Sequence, residues 1–153
     1  MAQKYRRILV PYDDSKYAKK ALDEAIEIAK RFDSDLVLLT VIDTLTVAPQ
    51  NLYKSGAIVG AKKIVKYLKK ASSKIDLKLR DKVIHCKDSG VDANYEIITG
   101  SPANVILRFA KKRNIDLIVM GSQGLVGISK LKVLGSVSRK VSEEATCPVL
   151  IIR

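Results

Sequence analysis

The chain has 153 residues and a formal net charge of +12 at pH 7, a length at which a single domain over residues 1–153 is expected. With 47% hydrophobic residues, it has enough apolar side chain for a core, so the high charge alone does not imply disorder. Its two cysteines, Cys86 and Cys147, exclude a disulfide scaffold. A reducing, cytoplasmic setting is therefore expected. No run reaches the roughly 18 apolar residues of a membrane span.

Apolar runs alternate with helical patterns along the chain, which is typical of repeated βα units and a parallel sheet. Residues 7–12 are predicted as the first strand, and Ser15 as the N-cap of a helix that ends near Phe32. Residues 36–42 are apolar except for Thr40, which predicts a second strand buried on both faces. Residues 43–50 are predicted as a loop.

One long helix is predicted over about residues 52–89, because apolar residues recur there at intervals of three or four. These residues are Ile64, Leu68, Ala71, Ile75, Leu79, Val83 and Cys86. Gly90 is a suitable C-terminal stop. The alternative is a helix interrupted at Ser72 and Ser73, since serine is a weak helix former.

The remaining third of the chain continues the alternation. Residues 94–99 are predicted as the third strand, followed by a helix with Ser101 as its cap and Pro102 in its first turn. Its inward residues are expected to be Val105, Ile106, Phe109 and Ala110. Residues 116–120 and 149–152 are predicted as strands on either side of a helix over residues 135–145. The predicted fold is a doubly wound, Rossmann-like α/β domain with five parallel strands flanked by four helices.

More than half of the excess charge lies between residues 62 and 82, which contain nine basic and two acidic residues. Such a segment can be a surface for nucleic acid or an anionic membrane, or the solvated face of a helix. The solvated face is favoured, because Tyr67 is the only interleaved aromatic residue and no known nucleic-acid-binding motif occurs.

Candidate ligand-binding residues follow the predicted strands, since ligands of open parallel sheets bind beyond the carboxyl ends of the strands. Asp13 and Asp14 follow the first strand, glycines at 121 and 124 follow the fourth, and Gly135 and Ser136 begin the next helix. Glycines allow backbone N–H groups to approach an anion, and a helix N-terminus adds a favourable dipole. A phosphate fits this pattern, although the standard dinucleotide and triphosphate signatures are absent.

Five blocks along the whole chain together resemble the universal stress protein family. They are ILVPYDDS at residues 8–15, GSP at 100–102, DLIVMGSQG at 116–124, LGSVS at 134–138 and CPVLII at 147–152. The resemblance implies a five-stranded parallel domain like that of the adenine nucleotide alpha hydrolases. It also implies a homodimer joined through the last strand, residues 149–152. ATP-binding members carry the loop G-x2-G-x9-G-[ST].

The resemblance also implies positions for the ligand, which would be ATP with Mg²⁺ or Mn²⁺. Pro11, Tyr12 and Asp13 would line the nucleoside end, and the backbone of Val41 would contact the adenine edge. The residues that would enclose the ribose and phosphates are Met120, Gly121, Gly124, Gly135, Ser136, Val137 and Ser138. Ser136 would be the principal hydroxyl donor, and no side chain is assigned as a metal ligand.

Three positions depart from the family pattern. Ten residues, not nine, separate Gly124 from Gly135. Asp14 stands in place of the usual glycine, where its carboxylate could repel phosphate or cap the first helix. Gln123 stands where many members have a basic residue.

The expected function is a nucleotide-binding regulatory module that acts in stress response on an unknown protein partner. No catalytic residue is assigned, so at most weak ATP hydrolysis or autophosphorylation is expected, with Ser122, Ser136 and Ser138 as the available acceptors. The alternative is a nucleotide-free interaction module. His85 is expected outside the cleft, and both cysteines are expected to be buried.

Overall fold

A computed structural model of the chain describes residues 3–47, 57–125 and 133–153. The strands are β1 Arg7–Pro11, β2 Asp35–Ile42, β3 Ala93–Thr99, β4 Leu117–Gly121 and β5 Val149–Ile152. The helices are α1 Lys16–Phe32, α2 Thr44–Val47, α3 Ala57–Asp88, α4 Pro102–Lys112 and α5 Ser136–Glu144. All strands are parallel, in the order β3-β2-β1-β4-β5. The five predicted strands and four predicted helices are confirmed.

Helices cover both faces of the sheet, because alternate residues of each strand point to opposite sides. Ile8 and Val10 of β1 pack in the core with α1 and the second half of α3, whereas Leu9 packs in the core with α4 and α5. These three residues are fully buried. The central strand is therefore covered on both faces, as its continuous apolar sequence predicts.

The ends of α1 follow from local hydrogen bonds. The side chain of Ser15 accepts a hydrogen bond from the backbone N–H of Ala18 at 3.1 Å, so Ser15 is the predicted N-cap. Asp33 ends the helix in the left-handed conformation, with φ of 54°. Ser101 differs, because it occupies the N-cap position of α4 without a side-chain cap bond. Pro102 begins that helix and lacks an N–H, which leaves one fewer donor to satisfy.

The short helix α2 corrects one prediction. Residues 43–50 were expected to form a loop, but residues 44–47 form one helical turn, and residues 48–50 lie outside the described residues. Asp43 starts this turn, since its carboxylate accepts a hydrogen bond from the backbone N–H of Leu45 at 2.9 Å. A single capped turn has no apolar periodicity by which the sequence could reveal it.

Helix α3 runs without a break through Ser72 and Ser73, for 32 residues. The hydroxyl of Ser73 donates to the carbonyl of Lys69 in the preceding turn at 2.9 Å, so it does not compete with the helix. Gly90 follows the helix with φ of +85°, a conformation that favours glycine. The predicted residues 52–56 lie outside the described residues. Within the described ranges, no helix combines the length and apolar character needed to cross a bilayer.

Candidate functional site

A cavity of about 250 Å³ opens beyond the carboxyl ends of β1 and β2. Its lining comes from the ends of β1 and β2, from α2, from the buried side of α3 and from the segment after β4. The lining residues are Tyr12, Asp13, Asp14, Thr40, Val41, Ile42, Asp43, Thr46, Ile75, Lys78, Leu79 and Leu125. Strand β1 lies between β2 and β4, where the direction of the strand order reverses. This is where open α/β sheets bind ligands.

Asp13 joins the two loops that border this cavity. One carboxylate oxygen accepts a hydrogen bond from the N–H of Ser15 at 3.0 Å, and the other accepts one from the N–H of Leu125 at 3.1 Å. A Cβ atom on Gly124 would lie 2.7 Å from the second oxygen. Gly124 therefore allows residues 121–125, the glycine-containing segment, to approach the Asp13 carboxylate.

Asp14 is held in the left-handed conformation, with φ of +65°, which explains a family preference for glycine at this position. Its carboxylate accepts a hydrogen bond from Lys78 at 2.7 Å and one from the Tyr12 hydroxyl at 3.1 Å. Lys19 lies 3.5 Å away. Ser15, not Asp14, caps α1, so the capping alternative for Asp14 is wrong.

These contacts determine the protonation states of Asp14 and Tyr12. The hydrogen bond from Lys78 is the main cause that lowers the pKa of Asp14 below its ordinary value, so this carboxylate is charged at neutral pH. Burial, followed by the hydrogen bond to Asp14, raises the pKa of Tyr12, which remains a neutral hydroxyl. The two lysines offset the negative charge of Asp14 at the mouth of the cavity.

The backbone of Val41 faces the cavity. Leu39 accepts a hydrogen bond from Tyr12 on the β1 side, whereas the Ile42 carbonyl accepts one from Gly100 on the β3 side. Because these directions alternate along a parallel strand, the N–H and C=O of Val41 point towards β1. The β1–β2 pairing ends at Pro11 and Leu39. Both polar groups of Val41 therefore point beyond the end of β1.

The N-terminus of α5 lies next to the end of β4. The backbone N–H of Gly135 donates to the carbonyl of Ser122 at 2.8 Å. The buried hydroxyl of Ser138 donates to the same carbonyl at 2.7 Å. Gly135 occupies the N-cap position and supplies no capping side chain, while Ser136 is exposed. The first-turn N–H groups of α5, which have no acceptor within the helix, thus begin beside the glycine-containing segment.

Several residues that were predicted to contact the ligand pack in the protein core instead of facing the cavity with their side chains. The Met120 side chain is buried in the core, and Val137 packs against the same core. At Gly121, a Cβ atom would lie 2.7 Å from the Cβ of Tyr17, so this glycine allows α1 to pack closely on β4. Ser122 is buried and Ser138 donates to carbonyl oxygens, which leaves Ser136 as the exposed hydroxyl among the three candidate acceptors.

The ten-residue segment between Gly124 and Gly135 includes residues 126–132, which lie outside the described residues. Its two ends are joined by Gln123, whose side-chain amide donates to the carbonyl of Val133 at 2.8 Å. Gln123, which stands where many members have a basic residue, thus holds the base of this loop. The cavity wall from α3, which includes Ile75, Lys78 and Leu79, did not emerge from the sequence.

The residues predicted outside the cleft lie apart from it. His85 is exposed on α3. Burial raises the pKa of the Cys86 thiol to about 11 and also raises that of Cys147, so neither is a reactive thiolate at neutral pH. Cys86 is buried as predicted, and Cys147 is half-buried. No cluster of three potential metal ligands occurs in the part of the chain that the structure describes.

The fold and the cleft define a doubly wound α/β protein with a candidate ligand site at the topological switch point of its sheet. A model of the universal stress protein family matches residues 4–153, and the chain belongs to this family. It is 35% identical to universal stress protein MJ0531 of Methanocaldococcus jannaschii, over 97% of this chain and 82% of that protein. It is also 35% identical to YxiE of Bacillus subtilis, over 97% of this chain and 99% of that protein.

Solved structures agree with this assignment. Universal stress protein UspA from Lactobacillus plantarum superposes with a TM-score of 0.76 at 30% identity, over 99% of this chain and 100% of that one. Two others share the fold at 23% identity. One is a universal stress protein in complex with cAMP, with a TM-score of 0.69 over 98% of both chains. The other is a universal stress protein family protein from Arabidopsis thaliana with AMP bound, with a TM-score of 0.60 over 96% of this chain and 90% of that one.

Proposed function

We propose that this protein is a regulatory module that binds an adenine nucleotide, with ATP as the principal ligand, in the cleft at the carboxyl ends of β1, β2 and β4. The backbone of Val41 carries the proposal, because its N–H and C=O point beyond the end of β1 towards the cavity. A donor and an acceptor side by side match the paired acceptor and donor on the edge of adenine. The nucleotides bound by two structural relatives support the same assignment.

The cavity suits the nucleoside end of such a ligand. Its volume of about 250 Å³ lies near the lower limit of roughly 300 Å³ for sites that bury a small organic ligand. Ile42, Ile75 and Leu79 supply apolar walls for a flat base. Asp13 accepts two backbone hydrogen bonds, and a carboxylate has capacity left for a ribose hydroxyl.

The phosphates would extend towards the N-terminus of α5. There the first-turn N–H groups, the helix dipole and the hydroxyl of Ser136 favour an anion. Gly124 and Gly135 keep side chains away from this path. A divalent ion, Mg²⁺ or Mn²⁺, would be held by the phosphates and would offset their charge.

Nucleotide released from heat-denatured protein, together with calorimetric titration of adenosine, AMP, cAMP and ATP with Mg²⁺, tests the proposal. We expect Gly124→Val to abolish binding, since the added side chain would displace the Asp13 carboxylate. Ser136→Ala should weaken ATP about tenfold, which is typical for loss of one hydrogen bond to a charged group. It should leave adenosine affinity unchanged.

Ser142→Ala is the matched control, because Ser142 is also an exposed serine of α5 and its hydroxyl donates to the Arg139 carbonyl, away from the N-terminus. Absence of both released nucleotide and any titration signal would contradict the proposal and favour the nucleotide-free interaction module. Release of inorganic phosphate that Gly124→Val abolishes would add slow hydrolysis to binding.

We also propose a homodimer that pairs the β5 edges of two copies. Strand β5 is an edge strand, and its Leu150 is an exposed apolar side chain. The carbonyls of Pro148 and Ile152 accept hydrogen bonds from the β4 side, from Ile118 and Ser122. By alternation, the polar groups of Val149 and Ile151 point to the open edge. An open apolar edge is a template for pairing with another strand.

The molar mass in solution, measured by light scattering during size-exclusion chromatography, tests this dimer. Ile151→Pro removes an outward N–H without removing a bond to β4 and should give a monomer. Leu150→Lys should do the same through its side chain. A native circular dichroism spectrum establishes that each variant is folded, and a folded variant that remains dimeric would exclude this interface.

A further inference from the structure

The first half of α3, residues 57–75, contains six lysines and no acidic residue. All six lysine side chains are exposed. We define the lysine face as Lys62, Lys63, Lys66, Lys69, Lys70 and Lys74. None of the ion pairs found among the described residues includes one of them. The structure thus leaves this group of positive charges without the paired carboxylates found elsewhere in the molecule.

The six lysines share one side of the helix. At 3.6 residues per turn they fall within an arc of about 140°, and the span from Lys62 to Lys74 is about 18 Å long. Ser73 is the only other described residue of this span that falls in the arc. Ile64, Leu68 and Ala71 lie on the opposite side and are half-buried. The arc is therefore a narrow, convex ridge of positive charge, with the exposed side chains of Val65 and Tyr67 on its two flanks.

The spacing of these lysines is unfavourable for the free protein. Lys62, Lys66, Lys70 and Lys74 follow one another at intervals of four residues, where like charges repel and destabilise a helix. A solvated helix face normally alternates the two signs, as α1 does with Asp23, Glu24 and Glu27 among its lysines. A polyanionic partner would turn this repulsion into attraction.

The shape and chemistry of the ridge favour duplex DNA among the polyanions. A helix with side chains is about 10–12 Å across, and the major groove of B-DNA is about 12 Å wide, so phosphates on both sides of the groove can reach the arc. Val65 and Tyr67 are exposed beside the arc, but they lie on opposite flanks of it and do not form the continuous apolar face by which a helix enters lipid. The arc has no arginine, asparagine or glutamine for reading base edges.

We propose that the lysine face is a binding surface for the phosphate backbone of duplex DNA, without sequence preference. Because the surface and the nucleotide cleft use different residues, the proposal is independent of the proposed function. The expected contacts are to phosphates alone, which makes the affinity strongly dependent on salt.

Fluorescence anisotropy of a labelled, mixed-sequence DNA duplex, titrated with the full chain, tests the proposal. If all six lysines neutralise phosphates, the affinity should fall about 10³-fold between about 50 and 200 mM salt. Substituting Lys66, Lys69 and Lys70 by Gln should reduce the slope of log affinity against log salt by about 2.7. The loss of affinity should be the same for duplexes of unrelated sequence.

A matched triple variant on α4 controls for net charge. Arg108, Lys111 and Lys112 are exposed on the opposite face of the sheet, and their replacement by Gln should leave the slope nearly unchanged. Equal effects of the two triples would overturn the proposal, as would absence of duplex binding at low salt. Tighter binding to phosphatidylserine vesicles than to the duplex at the same salt would also overturn it, in favour of a membrane partner. Thermal unfolding would establish that both triples are folded.

Discussion

The two halves of α3 have the same secondary structure but different support. In the second half, Leu79 and Cys86 are fully buried against the sheet, Lys78 pairs with Asp14 and Arg80 pairs with Asp76. In the first half, the lysine face is exposed, and Ile64, Leu68 and Ala71 on the opposite side are only half-buried. Helix propensity alone therefore does not decide how much each half of α3 contributes to the stability of the fold, because tertiary contacts supply most helical stability.

Truncating one leucine in each half of α3 should give the largest difference, which is a difference in the loss of unfolding free energy. Leu79→Ala removes a fully buried side chain and should cost about 3 kcal/mol of unfolding free energy. Leu68→Ala is the matched change at a half-buried position and should cost about 1 kcal/mol or less. Urea denaturation of both variants measures the difference. Equal costs would mean that the first half packs as firmly as the second.

The rate of amide hydrogen exchange should differ between the two halves of α3 in the unmodified protein. Amides of residues 62–72 should exchange at least about tenfold faster than those of residues 78–86, because few buried contacts resist local opening in the first half. Exchange measured by mass spectrometry on overlapping peptides tests this. Uniform protection along α3 would contradict the comparison.

A charge reversal on the lysine face should stabilise the free protein. Lys66→Glu replaces four like-charge pairs by opposite-charge pairs, with Lys62 and Lys70 four residues away and with Lys63 and Lys69 three residues away. Pairs at these spacings contribute about 0.2–0.5 kcal/mol each, so the gain should approach about 1 kcal/mol at low salt.

The matched control in the second half is Lys78→Glu, which should destabilise because it breaks the bond to Asp14. Chemical denaturation at low and high salt measures both variants. A Lys66→Glu variant that is less stable than the unmodified protein would show that the lysines have partners in the fold.

The smallest expected effect concerns the Asp14–Lys78 pair. The pKa of Asp14 is lowered in the folded state. The stabilising contribution of the pair is therefore present above the ordinary aspartate pKa of about 3.9, and it is lost as pH falls through the lower folded-state pKa of Asp14. Asp14→Asn should therefore reduce stability at pH 7 by about 0.5 kcal/mol or less.

The difference between Asp14→Asn and the unmodified protein should shrink near pH 3. Denaturation of both proteins at pH 7 and pH 3 measures it, and Lys78→Gln should reproduce the pH 7 loss. A difference that does not change with pH would mean that the asparagine acts through the backbone at φ +65°, not through charge.

Much of the fold could be predicted because its signals are local. The Ser15 cap, the apolar stripe of α3 and the stop at Gly90 depend on neighbours within a few residues. Ser101 occupies the predicted N-cap position of its helix but makes no side-chain cap bond. The loop prediction was wrong at residues 44–47, since a single turn capped by Asp43 has no apolar periodicity.

Less of the candidate site could be predicted. The ends of β1, β2 and β4 converge as parallel topology requires, which predicts Asp13 and Gly124 near one another. Val41 was predicted only from the family resemblance. Lys78 is 64 residues from Asp14 in sequence, and it reaches the cavity only because α3 packs across that edge of the sheet. The angle of that packing depends on all the side chains between the helix and the sheet, which no local pattern encodes.

Because α3 is unbroken, a small change in its tilt moves its N-terminal part by a larger distance. Ile75 lines the cavity, and Lys62 lies 13 residues earlier on the same unbroken helix, which is about 20 Å along the axis. A tilt of about 5° at the cavity wall would therefore displace Lys62 by about 2 Å. The orientation of the first half of α3 is thus tied to the part of the same helix that lines the cavity.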